Sequence, residues 1–170
     1  MSVSGLLPIF LKANLPILVV GGGKVAARKV ATMLACGAGD VTVVSPTFDE
    51  KMPDNVWRIA GAFRVEHLDG VRLVVAATDD AAVNQSVQDA AGARGILCVR
   101  LDDAAAGDGV LPATAVLDTI RCALTTGDPA TTKAVMADVR RVLQRHEAAA
   151  ADAAAKRLSS KNARGDRVET

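Results

Sequence analysis

The sequence predicts an α/β fold: a Rossmann-like, doubly wound parallel sheet, followed by a small β-hairpin and a helix. Three observations carry that expectation. Short apolar runs alternate with helix-patterned segments over roughly the first hundred residues, the rhythm of parallel strands joined by crossover helices. The runs Ile17–Val20, Val41–Val44 and Leu73–Ala77 are continuous and rich in β-branched residues, which suits strands buried on both faces. The first run passes through Gly21-Gly22-Gly23 straight into a helical pattern.

Taken in order, Leu7 to Leu11 is an apolar segment expected to pack at an edge before the first strand, Ile17–Val20. Helix spacing of Val30, Met33 and Leu34 predicts a first helix over 24–38. Val41–Val44 is the second strand, stopped by Ser45-Pro46-Thr47. A looser stretch broken by Pro53, Asp54 and Asn55 leads to a short strand at 56–59, with Phe63 and Leu68 pinning the connection to the core. Leu73–Ala77 is the next strand, ending at Thr78. Asp79 or Asp80 is placed to cap a helix carrying Val83, Val87, Ala90 and Ala91 on one face, with Gly92 and Gly95 framing its end. Ile96–Val99 is the following strand and leads to Leu101-Asp102-Asp103.

After Asp103 the pattern changes. Residues 104–109 form a flexible loop, and 110–116 and 119–124 read as two strands with a turn at Leu117-Asp118. Asp128 as cap and Pro129 at the first helical position start a helix, because proline's missing N–H costs nothing there. That helix carries Val135, Val139 and Val142 and continues through the alanine-rich 148–155. Residues 156–170 hold five Lys/Arg against two acids and almost no apolar side chains, and read as a disordered tail. The expected organisation is therefore a dinucleotide-binding domain over 1–108, a hairpin and helix over 109–155, and a tail over 156–170.

The glycine stretch points to chemistry. In a strand–turn–helix unit one glycine makes the sharp turn, another lets the backbone approach a pyrophosphate, and a small residue lets helix and strand pack closely. Gly21, Gly23 and Ala26 occupy those places, with Gly22, Lys24 and Val25 between them. The helix N-terminus behind them offers free N–H groups and a positive dipole end to phosphates. Ligands bind doubly wound sheets at the carboxyl ends of the strands, so the glycine loop, Ser45, Pro46, Thr47, Thr78 and Asp102 are expected on one edge. An acid often ends the second strand to hold the ribose hydroxyls. Here Ser45 stands in that place, with no arginine beside it to grip a 2′-phosphate, so the residues by themselves leave NAD and NADP open. Thr78 reads equally as a cofactor contact or a strand terminator, and Asp102 as a loop cap or a functional carboxylate.

Composition excludes several classes. Three Phe, one Trp and no Tyr argue against the stacking platforms of single-stranded nucleic-acid binders. A net charge of +1 gives no global pull toward nucleic acid or anionic membrane. No apolar run approaches membrane-span length and no secretory signal is visible, which predicts a cytoplasmic protein. Cys36, Cys98 and Cys122 lack CxxC spacing and fit thiols in a reducing compartment. His67 and His146 have no ligand spacing with another His, Cys or acid, so no metal site is expected.

Several stretches in this order resemble the precorrin-2 dehydrogenase family, which also forms the N-terminal module of siroheme synthases. They are Leu7-Pro8-Ile9-Phe10, the run from Val19 to Ala26 with Lys29, Val44-Ser45-Pro46, Ala76 to Asp80, Val83-Asn84, and Leu101-Asp102. The resemblance covers about the first 145 residues. It implies a Rossmann-like domain, NAD-dependent oxidation of precorrin-2 to sirohydrochlorin, and in some members metal chelation. It also implies a homodimer built through the hairpin, Asp102 as the functional aspartate, and NAD as the cofactor, with Ser45 to Thr47 beside it. Where the family carries Ser-Gly-Gly and then Ser-Pro at the last helix, this chain has Thr125-Thr126-Gly127-Asp128-Pro129-Ala130, with Thr126 at a cleft-lining position. The competing expectation is a non-catalytic member that binds NAD or tetrapyrrole as sensor or carrier.

Overall fold

The computed structural model describes Leu6 and residues 8–117, 120–126 and 128–165, with side chains through Ala148. The chain divides into two compact units, one ending at Pro112 and one beginning at Ala113. The sequence boundary after residue 108 falls four residues early. The loop stays with the first unit because Asp108 closes onto Cys98 through both its backbone and its side chain, at 2.7 and 2.8 Å, and Leu111 packs on that unit's core.

The first unit is built on five parallel strands: β1 (Ile17–Val20), β2 (Val41–Ser45), β3 (Trp57–Ala60), β4 (Leu73–Ala76) and β5 (Leu97–Arg100). Their spatial order is β3-β2-β1-β4-β5, all parallel, so the chain reverses its direction of travel across the sheet between β1 and β4. That is the doubly wound arrangement expected from the alternating pattern. Period-two geometry splits the strand side chains into two faces. Ile17, Val19, Val41, Val43, Leu73 and Val75 pack with Ala26, Ala27 and Val30 of α1 (Lys24–Ala35). Leu18, Val20, Val44, Val74 and Ala76 pack with Val87 and Ala91 of α2 (Ala81–Gly92). Continuous apolar strands were therefore required, since neither face of the central strands meets water.

Element ends follow local chemistry. Helix α1 stops at Ala35, three residues before the sequence expectation, because Gly37 adopts φ +97°. Its N–H donates to Leu34 O and that of Ala38 to Met33 O, a closing pattern that satisfies the last carbonyls. Asp80, rather than Asp79, caps α2: its Oδ1 accepts from Ala82 N at 2.8 Å and Val83 N at 3.2 Å. Strands β3 and β5 each sit one residue later than expected, at Trp57–Ala60 and Leu97–Arg100. Leu68 is fully buried beneath a 3-10 turn, Val65–Leu68, and Phe63 packs partly buried against the same cluster. Ile9, Phe10 and Leu11 form no strand and stand exposed, contrary to the expected packed edge. The strand they precede, β1, already has β2 and β4 on either side and offers them no free edge. Leu7 lies outside the described residues.

The second unit contains the antiparallel pair β6 (Ala113–Leu117) and β7 (Ile120–Leu124), followed by α3 (Pro129–Gly165). The expected turn residue Asp118, with Thr119, lies outside the described residues. Strand β6 begins three residues later than expected. Asp128 Oδ2 accepts from Thr131 N at 2.6 Å, the cap that its position before Pro129 implied. Helix α3 packs on β6, where Met136 and Ala115 are buried and Arg140 donates to Thr114 O at 2.8 Å. The helix runs ten residues past Ala155, through most of the segment expected to be a disordered tail. Between Ala130 and Arg164 there is neither Gly nor Pro, and alanine is the strongest helix former. Residues 166–170 lie outside the described residues. No helix among the described residues is long and apolar enough to cross a membrane.

Candidate functional site

The reversal of strand order between β1 and β4 splays the chain apart at their carboxyl ends, and the glycine loop fills that place. Gly21 takes φ +117°, a conformation L side chains rarely adopt, and a Cβ there would meet Ala77 O at 2.5 Å. Gly22 is closed from the other side: a Cβ would lie 2.2 Å from Thr47 O and 2.8 Å from Ser45 Oγ. Backbone bonds hold both glycines in place, Gly21 N donating to Val44 O at 2.9 Å and Asp49 N to Gly22 O at 2.7 Å. These two glycines are demanded by packing.

Gly23 differs. Its backbone is ordinary extended chain (φ −73°, ψ 179°), and a Cβ would meet nothing within 4 Å. It is the N-cap of α1 yet supplies no side chain to hold the first-turn N–H groups. A helix whose cap leaves its first donors to an outside acceptor, facing open space, is suited to a phosphate group. The residues present therefore fit the pyrophosphate of a dinucleotide. Lys24 and Val25 follow in that first turn and are exposed.

The other expected residues fall on or beneath this edge. Pro46 and Thr47 are exposed just past the end of β2, whereas Ser45 is buried against Gly22. Thr78 is half-buried and heavily engaged: its hydroxyl lies 2.7 Å from Asn84 Oδ1, and its N–H donates to the same oxygen at 3.1 Å. The Asn84 amide donates back to Thr78 O at 3.1 Å, so fully buried Asn84 ties β4's exit to α2.

Asp102 follows β5, and its neighbour Arg100 holds it. Arg100 Nε and Nη2 donate to Asp102 Oδ1 and Oδ2 at 3.0 and 2.6 Å, a two-point fork. The bonds from Arg100 hold the Asp102 carboxyl well below the usual carboxylate range despite partial desolvation, with a smaller contribution from the nearby Asn84 amide. Arg100 is itself only 6% exposed. Its Nη1 donates to Gln85 Oε1 and Gln88 Oε1 of α2 at 2.7 and 3.1 Å, and Gln88 Nε2 donates on to Ala106 O. The sequence reading missed Arg100, Gln85 and Gln88. The available signal was a cation at a strand end, one residue removed from the candidate aspartate.

Thr126 lies in the second unit. Its hydroxyl is 2.7 Å from Thr132 Oγ1, donates to Asp128 O at 2.7 Å, and accepts from Asp128 N at 3.2 Å, an arrangement that organises the start of α3. Gly127 lies outside the described residues. Cys36, Cys98 and Cys122 are free thiols. Among the described residues no three or more His, Cys, Asp or Glu side chains cluster as a metal site. A cavity of about 470 Å³ opens at the opposite, amino edge of the sheet, lined by Ile17, Asp40, Thr42, His67 and Asp69. It shares no residue with the glycine loop, and the loop's chemistry rather than that cavity's size locates the candidate site.

A doubly wound sheet with an open glycine loop at its topological reversal defines a dinucleotide-binding domain. The model of the family described as "Putative NAD(P)-binding" matches residues 9–113, and the chain belongs to that family. It is similar to a siroheme synthase of Chromobacterium violaceum, 46% identical over 112 residues, which covers 62% of this chain and 24% of that protein. It is also similar to siroheme synthase 2 of Aeromonas hydrophila subsp. hydrophila, 35% identical over 152 residues, 86% of this chain and 32% of that protein. The chain thus spans about a quarter to a third of the length of these relatives. Among solved structures it is similar to SirC, a precorrin-2 dehydrogenase, with a TM-score of 0.64 and 25% identity over 79% of this chain and 69% of that one.

Proposed function

We propose that this chain binds NAD+ at the carboxyl edge of its sheet and oxidises precorrin-2 to sirohydrochlorin, a step toward siroheme. The observation that carries the reading is Gly23: a helix N-cap with an open Cβ direction and no side-chain cap, in a family that binds NAD(P). The substrate is supported by similarity to siroheme synthases and to a precorrin-2 dehydrogenase.

The reaction balances simply. Precorrin-2 gives up one hydride and one proton, and NAD+ becomes NADH. The nicotinamide supplies the two-electron acceptor when bound. The chain's own part is binding, orientation and electrostatics. In this reading the N–H groups of Lys24 and Val25 meet the pyrophosphate, and Gly21 and Gly22 bring the backbone close enough for that to happen. Pro46 and Thr47 lie against the ribose, with Ser45 beneath them. No residue of Ser45 to Thr47 is cationic, so nothing there complements a 2′-phosphate, which favours NAD over NADP. Thr78 shapes the floor of the edge through Asn84. Asp102 is the carboxylate assigned to the reacting ring, and Thr126 is assigned to the tetrapyrrole side. The working form is a homodimer joined through the β6–β7 hairpin.

A second reading is favoured by one observation, the engagement of Asp102 by Arg100. If Asp102 had to accept the substrate's proton, that engagement would leave a chain that binds NAD and tetrapyrrole without turnover, a carrier or sensor. Anaerobic assay with enzymatically generated precorrin-2 and NAD+ separates the two. Matched growth of NADH and sirohydrochlorin absorbance is expected. NAD+ binding without either product would replace the enzyme by the carrier, and added ferrous or cobalt ion would test chelation in the same cuvette.

A further inference from the structure

The cluster around Arg100 is the part of the candidate site to which the enzyme reading gives no role. We propose that Arg100 is a positioning residue: its buried fork fixes the orientation and charge of Asp102, which acts as a standing anion beside the substrate while the released proton passes to water. This rests on the assignment of Asp102 to the reacting ring.

The geometry argues for a permanent clamp. Arg100 ends β5 in register with Ala76 of β4, so its backbone is fixed by the sheet. Both oxygens of Asp102 are engaged at once, at 3.0 and 2.6 Å, which fixes the carboxylate plane as a single contact could not. The remaining guanidinium nitrogen is held by two neutral carboxamides, Gln85 and Gln88, one turn apart on α2. Gln88 in turn anchors the loop at Ala106. If Arg100 swung away, a buried cation and the half-buried amide of Gln88 would lose partners, and burial without partners is costly.

The electrical surroundings point the same way. Asp103 from the next loop is near enough to favour the charged guanidinium, and burial, with Asp108 bonded to its backbone N–H, keeps the Cys98 thiol protonated. Helix α2 sets the neutral Gln85 and Gln88 on Arg100, and its carboxylate Asp89 joins the cluster through Gln85 Nε2, which donates to Asp89 Oδ1 at 2.8 Å. The carboxyl end of β4, Ala76 to Thr78, adds no ionisable group. Nothing on these elements competes with Arg100 for the carboxylate or drives a proton onto it. A carboxylate held this firmly is a weak base, because an efficient proton acceptor has a pKa near the working pH. It remains a full acceptor of hydrogen bonds and a fixed negative charge.

The test uses the full chain with aspartate labelled at the side-chain carboxyl carbon, the Asp102 signal being assigned by its loss in Asp102→Asn. In the wild type the Asp102 resonance is expected to stay at its ionised position from neutral pH down to about pH 4, where ordinary aspartates are half-titrated. In Arg100→Leu its midpoint should rise into or above that ordinary range. Turnover should fall at least tenfold with KM for NAD+ unchanged, and its pH profile should gain an acid limb absent from the wild type. Arg100→Lys should recover the flat profile but not the rate, since an ammonium replaces the charge without the fork. Titration of wild-type Asp102 at or above the ordinary range would overturn the proposal. So would Arg100→Leu with an unaltered Asp102 midpoint and pH profile. The wild-type titration needs only the Asp102→Asn reference spectrum, and neither Arg100→Leu nor turnover. It decides the clamp even if Arg100→Leu fails to fold, while absence of any wild-type turnover would count against the enzyme reading alone.

Discussion

Gly23→Ala should separate binding from stability more cleanly than any other substitution in the loop. At φ −73° and ψ 179° alanine is unstrained, and its methyl group would touch nothing within 4 Å. Two small terms oppose each other. The unfolded chain loses freedom, a gain of about 0.4–1 kcal/mol, while alanine is a poorer N-cap than glycine by a comparable amount of roughly 0.5–1 kcal/mol. The net change should lie within about 0.5 kcal/mol, a shift in Tm of roughly 3 °C or less. The methyl group would nevertheless stand in the open space before the first turn of α1, where a phosphate oxygen must come within hydrogen-bonding distance of the backbone. Loss of one hydrogen bond to a charged group is worth about 1.5–3 kcal/mol, which weakens NAD+ binding roughly 10- to 100-fold. Calorimetric titration with NAD+, paired with a thermal melt of the free protein, reads both quantities. An unchanged melt with NAD+ affinity within about twofold of wild type would refute the placement of the pyrophosphate at this turn. A large fall in Tm would instead refute the claim that Gly23 is free of packing duty.

The neighbouring glycine should behave in the opposite way. Gly21→Ala puts a side chain at φ +117° and 2.5 Å from the Ala77 carbonyl. Backbone strain of about 1–3 kcal/mol, with overlap against a fixed strand end, should lower the denaturation midpoint markedly; a wild-type midpoint would show that the loop relaxes freely. Asp80→Ala removes the only side-chain cap on α2 and should cost about 1 kcal/mol, with Asp80→Asn recovering most of it in urea titration. Loss of less than a few tenths of a kcal/mol would show that the cap is dispensable. Burial, reinforced by Asp108, pushes the Cys98 thiol up to about 11. Because the folded value is raised, stability from the protonated thiol is fully present below the unfolded value near 8.5 and is lost as pH rises toward the folded one. Denaturation at neutral pH and near pH 10 should therefore differ more in the wild type than in Cys98→Ala. Equal pH dependence in the two proteins would contradict this account.

How much was legible in the sequence depended on whether the signal was local. Strands β1, β2 and β4 announced themselves because their side chains meet a helix on both faces, which leaves no polar residue to interrupt the run. The glycine loop was legible because turn, close approach and helix start each demand a small residue at fixed spacing. The cap at Asp80 and the stop signal at Gly37 are equally local, and only the latter was overlooked. Strand β3 was harder. It lies at the sheet edge with all four residues exposed, Trp57 at 75%, so burial leaves no mark on its composition. The end of α3 was misjudged because charge was read as disorder, although the segment has good helix formers and no breaker before Gly165. The Arg100 cluster was invisible for a different reason. Its hydrogen-bonded members lie up to 18 residues apart along the chain and meet only because β5 pairs with β4 and α2 packs beside them.

The three glycines also show how far fold and site can be pulled apart here. At Gly21 and Gly22 the missing side chain serves the sheet: the strand ends close on the loop from both sides, and any substitution damages the scaffold before it reaches a ligand. At Gly23 no neighbour within the chain requires the missing side chain, since a Cβ would meet nothing within 4 Å. A position that tolerates a side chain structurally and still lacks one is where a requirement from outside the fold acts. The same reasoning applies in reverse to Arg100. A buried cation could be replaced by an apolar residue of similar volume at little or no loss of stability, and often with a gain. Stability alone therefore does not account for an arginine at the end of β5, whereas the need to hold Asp102 as an oriented anion does.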